Sequence, residues 1–287
     1  MIYMDLNESN EIFKQLMDDV NPFLITRMAL GAETAVSYLH TQSIDVPPHV
    51  IQILSNNAGI YNTKDNLQEY AEMYIEAIKN STYLTTWRNT HSWRIQEVQN
   101  AFTNMFNLKQ LHTRVLEPFY CVLNNEEPWS HKLLGKKVLI IHPFVDSMKK
   151  QINNNFQIFE NEKIFLDGQE FIFYKTYQTQ AGNHIHGSWK ETFEIMSSDI
   201  KKLDFDIALL GCGGYGLPLS NFIYKKMGKS AIYIGGGLQL LFGIMGNRWI
   251  NNKMWKELIK KNNTKFIRPS GDEICLNKEL VENSCYW

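Results

Sequence analysis

Two hydrophobic periods alternate along this chain. Ile207-Ala208-Leu209-Leu210 is an unbroken apolar run, the pattern of a strand covered on both faces of a parallel sheet. Beyond it Leu219, Phe222, Ile223 and Met227 recur at helical spacing until Gly228, with Pro218 in the first turn, where a missing N–H is tolerated. Residues 229–234 return to an extended pattern, so 204–237 reads as one strand–helix–strand unit. Upstream of it the pattern predicts a strand over 137–141, a helix over 146–156, a strand over 170–175 and a helix over 188–202. In the first 130 residues helical periodicity dominates. It predicts a short helix over 11–18, a strand over 23–28, a helix over 33–40 and an amphipathic helix over 67–79. That last helix carries Leu67, Tyr70, Ala71, Tyr74, Ile75 and Ile78 on one face.

Strands alternating with helices predict an α/β fold, a Rossmann-like and mostly parallel sheet flanked by helices, with a helix-rich N-terminal half. The polar stretch 124–130 interrupts the pattern and marks a seam. It separates a helix-rich part (1–130) from a Rossmann-like part (131–287), the two expected to form one compact unit.

Charge narrows the partners. With 287 residues, a formal net charge of −1 and no basic stripe, the chain lacks the electrostatic footprint of a nucleic-acid binder. No leader-like segment and no apolar run near the ~20 residues of a membrane span is present, so a soluble, cytoplasmic protein is expected. Cys121, Cys212, Cys275 and Cys285 form no CxxC pair and are read as reduced thiols. Cys212, inside a glycine loop, reads as a small residue that fits.

The candidate chemistry lies in the loops. Gly211-x-Gly213-x-x-Gly216 opens the helix of the strand–helix–strand unit, an arrangement that lets backbone N–H groups approach an anion at a helix N-terminus. The alternative is glycines that serve only close strand–helix packing. A nicotinamide or flavin site would need an acidic residue at the end of the second strand to hold a ribose hydroxyl, and Gly235-Gly236-Gly237 stands there instead. This disfavours an NAD-dependent oxidoreductase. In an α/β sheet, four loops should converge: His142-Pro143-Phe144, residues 178–182, residues 211–216 and residues 235–239. His142 is then a candidate acid, base or phosphate donor, or a histidine that is merely hydrogen-bonded. Arg27, just after an apolar strand, can clamp a diphosphate, and Glu33 can bind metal or activate a hydroxyl; the alternative is a structural Arg27–Glu33 pair. His184-x-His186, without a neighbouring carboxylate or thiol, makes half a metal site.

Several blocks together resemble the GT-D-fold glycosyltransferases and GT-D-like domains of surface-polysaccharide synthesis. They are the strand leading to Arg27 with Gly31-Ala32-Glu33, Asn56-Asn57-Ala58-Gly59, residues 116–120, 128–130 and 135–144, Gly211 to Pro218, Gly235 to Gly243, Arg248-Trp249 and the closing residues 282–287. The resemblance implies a glycosyltransferase using a nucleoside-diphosphate sugar, UDP-sugar favoured, with a glycan hydroxyl as acceptor. Taken with the loops expected to converge, it gives Arg27, Glu33 and His142 as candidate catalytic residues, with Asn57, Gln178, Gly211, Gly213, Gly214, Gly216, Gly237 and Gln239 around the donor. The family holds Mn2+ or Mg2+ with a DxE pair. Here Gly31 stands at the aspartate position and Arg27 is one residue farther from the glutamate, leaving Glu33 as a lone metal ligand. A non-catalytic sugar-nucleotide or polysaccharide-binding protein would keep the glycine loops without needing Glu33.

Overall fold

The computed structural model describes residues 4–87 and 93–287. Seven strands form one sheet: β1 (Leu24–Arg27), β2 (Tyr83–Thr86), β3 (Gln110–His112), β4 (Lys137–His142), β5 (Glu170–Lys175), β6 (Ile207–Leu210) and β7 (Ser230–Tyr233). Their order is β3-β2-β1-β7-β6-β4-β5, and every pairing is parallel. The fold is therefore the expected Rossmann-like α/β class, all parallel rather than mostly so. One sheet draws on both sides of the 124–130 stretch, because Leu24 and Ile25 of β1 pair with Ala231 and Ile232 of β7.

Successive residues of each strand point to opposite faces, and each face packs its own core. Ile25, Val138, Ile140, Leu209 and Ile232 join Phe13, Met17, Phe119, Met148 and Trp255 on one side. Leu24, Leu139, Ile141, Ala208, Leu210 and Tyr233 join Val36, Tyr70, Tyr74, Met196, Leu219 and Ile223 on the other. Strands wrapped on both faces must be apolar at every position, which is why β4 and β6 read as unbroken runs.

The helix Leu67–Lys79 has the bounds its periodicity predicts. The first helix starts earlier than expected, at Leu6. Asp5 and Glu8 form a capping box in which each side chain accepts from the other's backbone N–H, at 2.8 and 3.0 Å. Two strands, β2 and β3, fall where no strand is expected. Each is four residues or fewer and rich in Thr, Gln and His, so neither carries a hydrophobic period. Their order comes from the sheet: Thr85 Oγ1 donates to the Thr26 carbonyl at 3.1 Å. The N-terminal half thus holds three of the seven strands in addition to its helices.

The topology creates two crevices at the carboxyl edge. After β4 the chain turns into Val145–Asn153 on the first face, and after the adjacent β6 into Gly216–Met227 on the second. Likewise β1 leads to Ala32–Thr41 on the second face while its neighbour β7 leads through a glycine turn to Leu238–Leu241 on the first. Where adjacent parallel strands send their connections to opposite faces, the strand ends part and leave room for a ligand.

Candidate functional site

Both crevices open into one cleft of about 630 Å³ above the carboxyl ends of the strands. All four loops expected to converge line it: residues 142–144, Gln178 with Gln180, Gly211 with Gly213, and residues 235–237 with Gln239. So do Arg27, Glu33 and Asn57.

Arg27 ends β1 with its guanidinium carbon 5.5 Å from the Trp87 ring centroid and 5.3 Å from that of Tyr233. Neither ring is free to move away. Trp87 donates from Nε1 to the Met28 carbonyl at 3.0 Å and exchanges two backbone hydrogen bonds with the Gln99 amide, while the Tyr233 hydroxyl donates to the Gly213 carbonyl at 3.1 Å. Within this aromatic clamp, Arg27 makes no hydrogen bond and no ion pair among the described residues, and its Nε is enclosed without a partner. The structural Arg27–Glu33 pair is absent. The half-buried guanidinium, held between two rings and near the carboxyls of Glu33 and Glu117, thus has all five of its donors unused among the described residues.

Glu33 sits in the first turn of Ala32–Thr41, beside the cleft. Burial raises its pKa, opposed by a backbone hydrogen bond and the charge of Arg27 and reinforced by Glu282. Glu117 is raised by burial as well, against the pull of Arg114, Arg27 and Arg248. Both carboxyls thus hold a proton to higher pH than a solvated glutamate, the condition for exchanging one with a substrate. Arg114 lies 3.5 Å from Glu117 and stacks 4.4 Å over Tyr120, and Arg248 pairs with Glu282 and stacks 4.6 Å over Tyr286. Only Arg27 of these three arginines lacks a carboxylate partner.

His142 is buried, and its Nδ1 accepts the Phe144 N–H at 3.0 Å. Burial pushes its pKa down to about 3, so the ring stays neutral at physiological pH with Nε2 protonated. Of the roles expected for it, the neutral donor remains and the cationic acid does not. Gln178 and Gln239 direct their Nε2 groups to carbonyls, at 2.9 Å to Glu273 and 3.1 Å to Tyr286, leaving both Oε1 atoms enclosed and unpaired. Asn57 reaches the cleft from a π-helical turn, Leu54–Ala58, a local widening common at functional sites.

The glycines divide by task. Gly211, Gly213 and Gly237 border the cleft. Gly214 and Gly216 do not: a Cβ on Gly214 would fall 2.6 Å from Ile60 Cγ1, and one on Gly216 2.0 Å from the Tyr233 ring. Those two glycines serve close packing of the loop and helix, so the motif Gly211-x-Gly213-x-x-Gly216 is half ligand border and half packing. Gly216→Ala is accordingly expected to destabilise the protein by about 1–3 kcal/mol, because the added methyl overpacks a rigid ring. It should also loosen the Arg27 clamp through Tyr233. Urea denaturation with ligand titration checks this, and an unchanged midpoint would refute the packing role.

The remaining candidates lie elsewhere. His184 stacks on Tyr61 with 4.1 Å between centroids and His186 shares a hydrogen bond with Thr192 at 2.9 Å; neither borders the cleft. The thiol of Cys212 is buried and its pKa pushed up by that burial, leaving no nucleophilic thiolate. No group of three His, Cys, Asp or Glu among the described residues is arranged to hold a metal ion. Glu33 has the Arg27 guanidinium nearby, whose charge opposes a cation there.

Trp87 and Tyr233 complete the site with no sequence signal to mark them, whereas Arg114 and Glu117 belong to a polar insertion beside an apolar stretch, a signal weak on its own.

An all-parallel α/β sheet, with a carboxyl-edge cleft that presents an arginine between two aromatic rings, defines the class: a Rossmann-like α/β protein. No family model, no curated protein and no solved structure matches the chain. Among the described residues, no helix is long and apolar enough to cross a membrane.

Proposed function

We propose that this chain is a glycosyltransferase of GT-D-like type, acting in polysaccharide biosynthesis, that moves a sugar from a nucleoside-diphosphate donor, UDP-sugar favoured, to a glycan hydroxyl. The observation that carries the reading is Arg27: a cation held between two rings, with no hydrogen bond or ion pair among the described residues, beside two carboxyls whose pKa is raised, in a cleft large enough for a nucleotide sugar. In the proposed reaction the acceptor oxygen bonds to the anomeric carbon as the bond from that carbon to the diphosphate oxygen breaks. The electron pair leaves on the diphosphate, where Arg27 meets the developing charge, and Glu33 takes the acceptor's proton. His142, as a neutral donor, and the borders at Gly211 and Gly213 hold the donor in place. No step requires a metal ion.

Thermal-shift measurement with UDP, GDP, CMP and NAD, each with and without manganese, tests the reading. A nucleoside diphosphate is expected to raise the melting temperature and NAD to leave it unchanged, with little effect of manganese. A shift with NAD alone would overturn the proposal. Binding of UDP-sugar without any turnover toward glycan acceptors would instead favour a sugar-nucleotide-binding protein.

A further inference from the structure

Each of the three glycines that follow β7 carries one side chain of the cleft against its backbone. A Cβ on Gly235 would fall 1.9 Å from Arg27 Nη2, one on Gly236 2.5 Å from Tyr286 Cε1, and one on Gly237 1.9 Å from Glu117 Oε1. The glycines are thus a floor on which a cation, a ring and an anion lie in chain order.

This floor stands where a nucleotide-binding strand–helix–strand unit ordinarily carries the acid that receives ribose hydroxyls, at the end of the second strand. The chain has no acid there, but the tertiary structure delivers one from the loop after β3. Arg114 lies 3.5 Å from the Oε2 of Glu117. Oε1, the oxygen over Gly237, has no hydrogen-bond partner among the described residues, and the side chain keeps 19% of its surface open toward the cleft it lines. We propose that Glu117 is the ribose receptor of this site, accepting hydrogen bonds from the ribose hydroxyls of a nucleoside diphosphate whose phosphates lie on Arg27, with the Tyr286 ring between. The proposal rests on the nucleoside-diphosphate reading of the cleft and adds to it a requirement for ribose over deoxyribose. It also explains the third glycine: any side chain at 237 would displace the carboxylate.

The experiment is titration calorimetry of the full chain with UDP, 2′-deoxy-UDP and 3′-deoxy-UDP. Loss of a hydroxyl bonded to a carboxylate is expected to weaken binding about tenfold. In Glu117→Gln the affinity for UDP should drop by a similar factor and the discrimination between UDP and its deoxy forms should largely vanish. Glu117→Asp, which keeps the charge beside Arg114 but withdraws it from Gly237, should lose part of the discrimination. Because the ligand series is read on the unaltered protein, it stands even if a variant misfolds. Equal binding of UDP and both deoxy forms by the unaltered chain would overturn the proposal while leaving the diphosphate reading intact, as would undiminished discrimination in Glu117→Gln. If no ribonucleoside diphosphate binds the unaltered chain, both fall together.

Discussion

Arg27→Gln is expected to weaken nucleoside-diphosphate binding by about 100-fold and transfer by a further factor of about 10²–10³, with the fold retained. The first loss follows from removing charge-assisted, two-pronged hydrogen bonds to phosphate, and the second from removing the one cation positioned where charge develops on the leaving group. The fold should survive because, among the described residues, Arg27 makes no hydrogen bond or ion pair that the variant would break, and Trp87 and Tyr233 are anchored by their own partners. Arg27→Lys should recover only part of the affinity: an ammonium supplies the charge without the planar fork that stacks between two rings. Calorimetric titration of both variants against UDP checks the ordering. Equal affinity in the Gln variant and the unaltered protein would remove Arg27 from the anion site and with it the main support for a diphosphate ligand.

Glu33→Gln should lower turnover roughly 10²–10⁴-fold while donor affinity stays nearly unchanged, since glutamine keeps size and hydrogen bonding but cannot take a proton. The pH dependence follows from the direction of the shift. Burial raises the Glu33 pKa, and the base acts only when ionised, so activity should fall as pH drops through a value above the ordinary glutamate range. Stability runs the opposite way. A carboxyl whose folded-state pKa exceeds its unfolded one contributes stability that is complete below the unfolded pKa and is lost as pH rises through the folded value. Above its raised pKa the buried charge is therefore a burden, and Glu33→Gln is expected to melt no lower than the parent while losing activity. A variant that is fully active, or one whose melting temperature falls sharply, would show that the carboxylate is a structural residue at the helix entry.

How much of this was legible beforehand depends on where the information resides. The strand–helix–strand unit around β6 and β7, the helix Leu67–Lys79 and strand β4 follow from periodicity, because each buries a regular stripe or an unbroken run that no loop would carry. The loops that meet in the cleft were legible for the same reason: once strands run parallel, their carboxyl ends must share an edge. The strands β2 and β3 were not, since three or four residues with a single leucine each gain strand geometry only from neighbours already in the sheet. His142 was visible as a candidate, but its burial, and hence its neutrality at physiological pH, was not.

By itself, then, the amino-acid order determines the α/β class, the sheet edge where the loops meet and two of the side chains that line the cleft, Arg27 and Glu33, because local hydrophobic pattern and residue type suffice for those. Tertiary structure alone decides that Arg27 is unpaired and clamped by Trp87 and Tyr233, that Gly214 and Gly216 are spacers, and that Glu117 fills the place where the chain itself has Gly237. Those facts depend on contacts between residues up to about two hundred positions apart in the chain. Such contacts leave no periodic trace in sequence: the energy that selects them is that of packing and desolvation in the finished fold.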